Sequence, residues 1–138
     1  MHIYVCSPHR AYGDGKRITH TVYGNKSFAR QCCRALFAMG HTPVAPQLFY
    51  PQFTNEDNRE ERESCLAMAK ADLLRCAAVC VFGDHVSDGM AAEIALAEEH
   101  GIPVHRFKTP GACDGLRGGV TPRKAPESEQ IRMEEFVA

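Results

Sequence analysis

Glu93 is the residue of this chain whose setting most invites chemistry. It ends the stretch Gly83-Asp84-His85-Val86-Ser87-Asp88-Gly89-Met90-Ala91-Ala92-Glu93, which directly follows the apolar run Val79-Cys80-Val81-Phe82. The apolar run reads as a buried strand, the polar residues as a short loop, and the chain from Ser87 onward as a helix. Glu93 is the one acid on a helix face otherwise made of Gly89, Met90, Ala92, Leu96 and Ala97. In open parallel α/β sheets, ligands bind where strands end and helices begin, because backbone N–H groups are free there. An acid one to two turns into such a helix can face that crevice. Spacing alone fits an exposed glutamate on an amphipathic helix at least as well.

The elements that must position this acid follow from pattern. His2–Cys6 is a β-rich run stopped by Ser7-Pro8, and residues 9–24, rich in Gly, Arg, Tyr and His, read as a long active-site loop. Asn25 is expected to cap a helix over 25–39, with Phe28, Cys32, Ala35 and Leu36 on its apolar face and Gly40 closing it. A second strand is expected at 42–45, stopped by Pro46. An aromatic loop over 47–58 carries Leu48-Phe49-Tyr50-Pro51-Gln52-Phe53. A helix over 60–75 places Cys65, Leu66, Ala69, Leu73 and Cys76 at helical spacing. The apolar strand 77–82, the helix 87–100 and a fourth strand at 102–107 complete the alternation. Residues 110–126 read as irregular and 128–137 as a short last helix.

Alternating strands and helices predict an α/β fold: a small doubly wound, flavodoxin-like parallel sheet of four to five strands with helices on both faces. Its topological switch point would bring residues 7–12 beside 83–89. The expected organisation is an α/β domain over 1–108 and a Gly/Pro-rich extension over 109–138.

Composition bounds the rest. The chain has 138 residues, 44 % hydrophobic and 24 % charged, with formal net charge -1, as in an ordinary soluble domain with no field for nucleic acid polymers or membranes. The local basic cluster Arg117, Arg123 and Lys124 is too sparse to change that. No apolar run nears the ~20 residues needed to span a bilayer, and the N-terminus runs into a strand without a signal-like segment. The seven cysteines fall inside elements without paired CxxC spacing, which suits reduced core residues of a cytoplasmic protein and no metal site.

Three motifs together carry a resemblance. The strand Ile3-Tyr4-Val5-Cys6 with its loop Ser7-Pro8-His9-Arg10, the aromatic Leu48-Phe49-Tyr50-Pro51-Gln52-Phe53 segment, and the Gly83…Ser87-Asp88-Gly89-Met90…Glu93 turn resemble the nucleoside 2-deoxyribosyltransferase superfamily. That superfamily includes the 2'-deoxynucleoside 5'-phosphate N-hydrolases, and the likeness is to a bacterial and phage branch in particular. It spans roughly residues 2–107.

The resemblance implies that Glu93 is the nucleophile. Breaking an N-glycosidic bond develops positive charge at the sugar C1', which a carboxylate can stabilise or capture covalently. Tyr4 matches the tyrosine that orients this carboxylate. Ser87 matches a serine of the phosphate-accepting hydrolases, where transferases have an aspartate, and Arg10 matches their phosphate-binding arginine. Asp88 and Asp84 are candidates to protonate or hydrogen-bond the leaving base. Ser7, Gly89, Met90 and Tyr50 are expected around the ligand, with His9 and His85 in the same crevice. Phe49, Tyr50 and Phe53 would form a lid on which a base stacks. No metal or organic cofactor is implied, and a homodimer or higher homo-oligomer is expected.

The chain also departs from the family pattern. Many members carry an acid at the start of the third strand, where Ala77 and Ala78 stand here. The sequence therefore supports two readings: an enzyme acting on a nucleoside or its 5'-monophosphate, or a module that captures a nucleotide-derived signal without turnover. A phosphoribohydrolase is a weaker third, because its glycine-rich run is missing.

Overall fold

Two apolar strands organise the molecule by alternation. In HIYVC, Ile3 and Val5 point into one core and Tyr4 and Cys6 into another. In AVCVF, Ala78, Cys80 and Phe82 join the first core and Val79 and Val81 the second. Strands buried on both faces need helices on both sides, which is the parallel arrangement.

The computed structural model describes residues 1–116. Along the chain run β1 (His2–Cys6), a hairpin of β2 (Tyr12–Gly13) and β3 (Ile18–His20), α1 (Val22–Ala38), β4 (Thr42–Val44) and α2 (Pro46–Phe49). A 3-10 turn at Tyr50–Gln52 leads into α3 (Arg59–Leu74), β5 (Ala78–Phe82), α4 (Asp88–Glu99), β6 (Val104–Phe107) and a 3-10 helix at Pro110–Leu116. The main sheet is parallel with order β4-β1-β5-β6. The chain leaves β1 toward β4 and returns to β1's other side at β5, so the switch point lies between the ends of β1 and β5, as the alternation predicted.

One core lies between the sheet, α1 and the last 3-10 helix, where Cys32, Leu36, Cys113 and Leu116 pack on Val5, Cys80 and Phe82. The other lies under α3 and α4, with Leu73, Met90, Ile94 and Ala97 against Tyr4, Cys6 and Val81. All seven cysteines are free, five of them buried. Burial at Cys113 and Leu116 carries the packed core past residue 108. The helix expected over 128–137 and the basic cluster at 117–124 lie outside the described residues.

Four local expectations are corrected. Residues 9–24 are not irregular, because β2 and β3 pair there antiparallel. Gly13 makes that hairpin feasible, since a Cβ would overlap the Arg17 carbonyl. Helix α1 begins at Val22 rather than after Asn25. Thr21 caps it, its Oγ1 accepting the Gly24 N–H at 3.0 Å. The aromatic segment is partly helical, started by Pro46, whose fixed φ suits a first helical turn. On α3 the apolar spacing is only partly used, since Leu73 is buried but Leu66 remains 54 % exposed.

Candidate active site

Helix α4 starts where expected. Ser87 is its cap, with Oγ accepting the Met90 N–H at 3.2 Å. Before it, Gly83 turns the chain out of β5 at φ +95°, a conformation that glycine adopts without strain. Glu93 follows in the second turn, half-buried, alongside Tyr4 and Cys6 of β1. The Tyr4 hydroxyl and the Cys6 thiol both act on its carboxylate, and the Cys6 Sγ lies 3.9 Å from the Met90 carbonyl as a donor.

Burial pushes the Glu93 carboxyl up to about 7, against the pull of the Tyr4 and Cys6 donors, which favour its charged form. The same burial, reinforced by the Glu93 charge, drives the Tyr4 phenol and the Cys6 thiol far above their usual ranges. Both therefore keep their protons. The outcome is a carboxylate that is poised near neutral pH beside one face of β1.

The loop after β1 is pinned by residues that sequence reasoning gave other roles or none. Asn25 is 4 % exposed, and its Nδ2 donates to the His9 carbonyl at 3.2 Å and the Arg10 carbonyl at 2.9 Å. Its occurrence near a helix start suggested a cap; its buried amide instead satisfies loop backbone. Gln47 of α2 donates through Nε2 to the Val5 carbonyl at 3.1 Å and to Ser7 Oγ at 3.0 Å. The His9 Nε2 meets Glu56 Oε1 at 2.6 Å, tying this loop to the segment before α3.

Tyr12 of β2 stacks on His85 of the β5–α4 loop, with ring centroids 3.7 Å apart, and on His20 at 4.3 Å. Burial first, and the nearby Asp84 charge second, raise the Tyr12 phenol above its usual range. The hairpin thus reaches across from β1 to the β5 side of the switch point. Nothing in spacing announces that stack, because its partners are far apart in sequence.

The remaining expected residues divide. Ser7 is buried at 7 % exposure, whereas Arg10, Asp84, Asp88 and Gly89 are exposed. Met90, expected among ligand contacts, is 2 % exposed and packs in the core with Tyr4 and Cys6, where its apolar side chain is better accommodated. Tyr50 is bound elsewhere: its hydroxyl donates to Asp72 Oδ2 at 2.7 Å and its ring meets Phe49 and Phe53 edge-on. That bond is the main cause pushing its phenol up to about 12. This aromatic cluster borders a cavity of about 430 Å³ beside β4, lined also by Cys33, Val44, Leu48 and Gln52. Among the described residues, no hydrogen bond or ring contact joins it to Glu93, and no His/Cys/Asp/Glu group is arranged to hold a metal ion. No helix among them is long and apolar enough to cross a membrane.

No curated protein matches the sequence. A solved structure, from a characterisation of 2-deoxyribosyltransferase of the psychrotolerant bacterium Bacillus psychrosaccharolyticus, is similar over 95 % of this chain and 90 % of that one, with TM-score 0.57 and 18 % identity. At that identity the likeness is one of fold: a parallel Rossmann-like sheet between helices. The model of the domain of unknown function DUF7768 matches residues 1–107, from the first strand to the end of β6, and the chain belongs to that family.

Proposed function

We propose that this chain binds a nucleoside or nucleoside 5'-monophosphate and cleaves or transfers at its N-glycosidic bond, with Glu93 as the reacting carboxylate. The observation that carries this reading is the half-buried Glu93 beside the switch point, its carboxyl raised by burial to about 7. The C1'–N bond breaks and its electron pair leaves on the base, while a Glu93 oxygen closes on C1'. The base nitrogen gains a proton, for which Asp88 is the candidate donor and Asp84 its neighbour. Water then opens the glycosyl ester and restores the carboxylate, or a second base takes the sugar instead.

The free N–H groups at the start of α4, the Ser87 hydroxyl and the exposed Arg10 favour a phosphate, with Ser7 and Gly89 bordering it. A monophosphate hydrolase is therefore placed ahead of a transferase. The carboxylate chemistry itself calls for no cofactor. Buried free thiols support a reducing, cytoplasmic setting, and the exposed Phe49 and Phe53 support a homodimer or larger assembly using that side.

Ala77 and Ala78 at the start of β5 favour a second reading, capture of a nucleotide-derived signal without turnover. Incubation with a panel of nucleosides, 5'-monophosphates and dinucleotides, read by chromatography and by calorimetry, separates the two. Free base supports the enzyme; tight binding with every ligand recovered intact supports capture.

A further inference from the structure

The sheet leaves one carbonyl of β1 to be served from outside it. Strand β4 pairs with β1 at His2↔Thr42, Ile3↔Pro43 and Tyr4↔Val44 and stops there, so Val5 has no β4 residue opposite it. Gln47, just beyond the end of β4, takes that place. Its Nε2 donates to the Val5 carbonyl at 3.1 Å and to Ser7 Oγ at 3.0 Å. A carbonyl can only accept, which fixes the amide with its NH2 group toward β1. Both hydrogens of that nitrogen are then spent, and Ser7 Oγ is the acceptor of the second. The Ser7 hydroxyl keeps its own hydrogen, and among the described residues no hydrogen bond takes it up. Ser7 is 7 % exposed and directly follows β1 at its carboxyl end, beside the switch point.

We propose that Gln47 is a positioning residue for the ligand's phosphate: by occupying the Ser7 oxygen, it commits the Ser7 hydroxyl to donating, toward an anionic oxygen of the nucleotide. This rests on the reading of a 5'-monophosphate as ligand and extends it to a side chain that touches no substrate. A serine hydroxyl rotates to suit its neighbours; one that already accepts an N–H from a fixed amide has its direction set. A sheltered hydrogen without an acceptor is costly until an oxygen reaches it. A phosphate oxygen takes it in a charge-assisted bond, about twice as strong as the bond a neutral ligand hydroxyl would make.

The test is a double-mutant cycle in the full chain: wild type, Gln47→Met, Ser7→Ala and the double variant. Calorimetry gives the Kd of each for inorganic phosphate, for a nucleoside 5'-monophosphate and for its nucleoside. Gln47→Met is expected to raise the monophosphate Kd roughly fivefold or more in wild type, and less than about twofold once Ser7 is alanine, because the two act as one unit. The nucleoside Kd should rise less than the monophosphate Kd. Equal loss in both backgrounds, or for both ligands, makes Gln47 a support of the fold alone and overturns the proposal. So does a wild type that binds neither phosphate nor monophosphate. If Gln47→Met does not fold, nitrogen-15 NMR of the Gln47 side-chain amide in wild type decides. Phosphate should move the N–H that faces Ser7 downfield, since a hydroxyl that donates becomes a better acceptor, and leave the one that faces Val5 in place. No movement overturns the proposal. Coupling between Gln47 and Ser7 without base release keeps Gln47 in this role and removes the enzymatic reading. Base release without coupling does the reverse.

Discussion

Tyr12 lies flat against His85, with ring centroids 3.7 Å apart and planes 5° from parallel. One ring belongs to the hairpin after β1, the other to the loop between β5 and α4. The stack therefore joins the two loops that face each other across the switch point. Aromatic pairs of this kind contribute about 0.5–1.5 kcal/mol beyond burial. Tyr12→Ala is expected to speed amide hydrogen exchange over residues 83–87 by roughly two- to tenfold, the factor such an energy corresponds to. Unchanged exchange there would show that the hairpin does not restrain the loop.

Glu93 makes a stability prediction that needs no substrate. Its carboxyl is raised to about 7, above the ~4.3 of an unfolded glutamate. A raised carboxyl stabilises the fold most below pH 4.3, and that contribution is lost as pH climbs through 7. Glu93→Gln carries no charge to bury, so it should melt higher than wild type at pH 8, by no more than about 4 kcal/mol of stability. At pH 4.5 the gap should close. Parallel melting curves at both pH values would mean that the carboxyl is not held in a desolvated setting.

A phosphate preference is expected at the start of α4. Ser87→Asp keeps an N-cap but sets a negative charge beside the bound phosphate, and it should lower monophosphate use more than nucleoside use. Steady-state comparison of one nucleoside with its 5'-monophosphate measures this. Wild-type preference for the nucleoside would turn the reading from hydrolase to transferase.

Tyr50 separates a tether from a stacking platform. Its bond to Asp72 is charge-assisted, so Tyr50→Phe should cost about 1–2 kcal/mol of stability in urea unfolding. Tyr50→Ala should also weaken ligand binding, by ~1–3 kcal/mol if the ring stacks on the base. Normal ligand affinity in Tyr50→Ala would leave the aromatic cluster a structural or subunit-contact role.

The sheet was legible because its signal is local and periodic. Each residue of His2–Cys6 and Ala78–Phe82 declares a face by alternation, and Ser87, Gly40 and Gly101 mark helix ends by residue type alone. Asn25 was misread because a buried amide bonding backbone 15 and 16 residues back looks, in sequence, like any helix cap. The hairpin was missed because β2 and β3 have two and three residues, too few to show a period. Cys6 and Tyr12 gave no sign because their partners lie on other elements.

Base release by wild type and Glu93→Gln, measured side by side on one panel of nucleosides and 5'-monophosphates, tests the central claim most directly. The amide keeps the shape of the carboxylate but cannot stabilise charge at C1' or form a glycosyl ester that turns over. Wild type is expected to release free base along a rate limb that rises with pH through about 7, and Glu93→Gln to release none above background. Equal release by the two proteins would contradict the account.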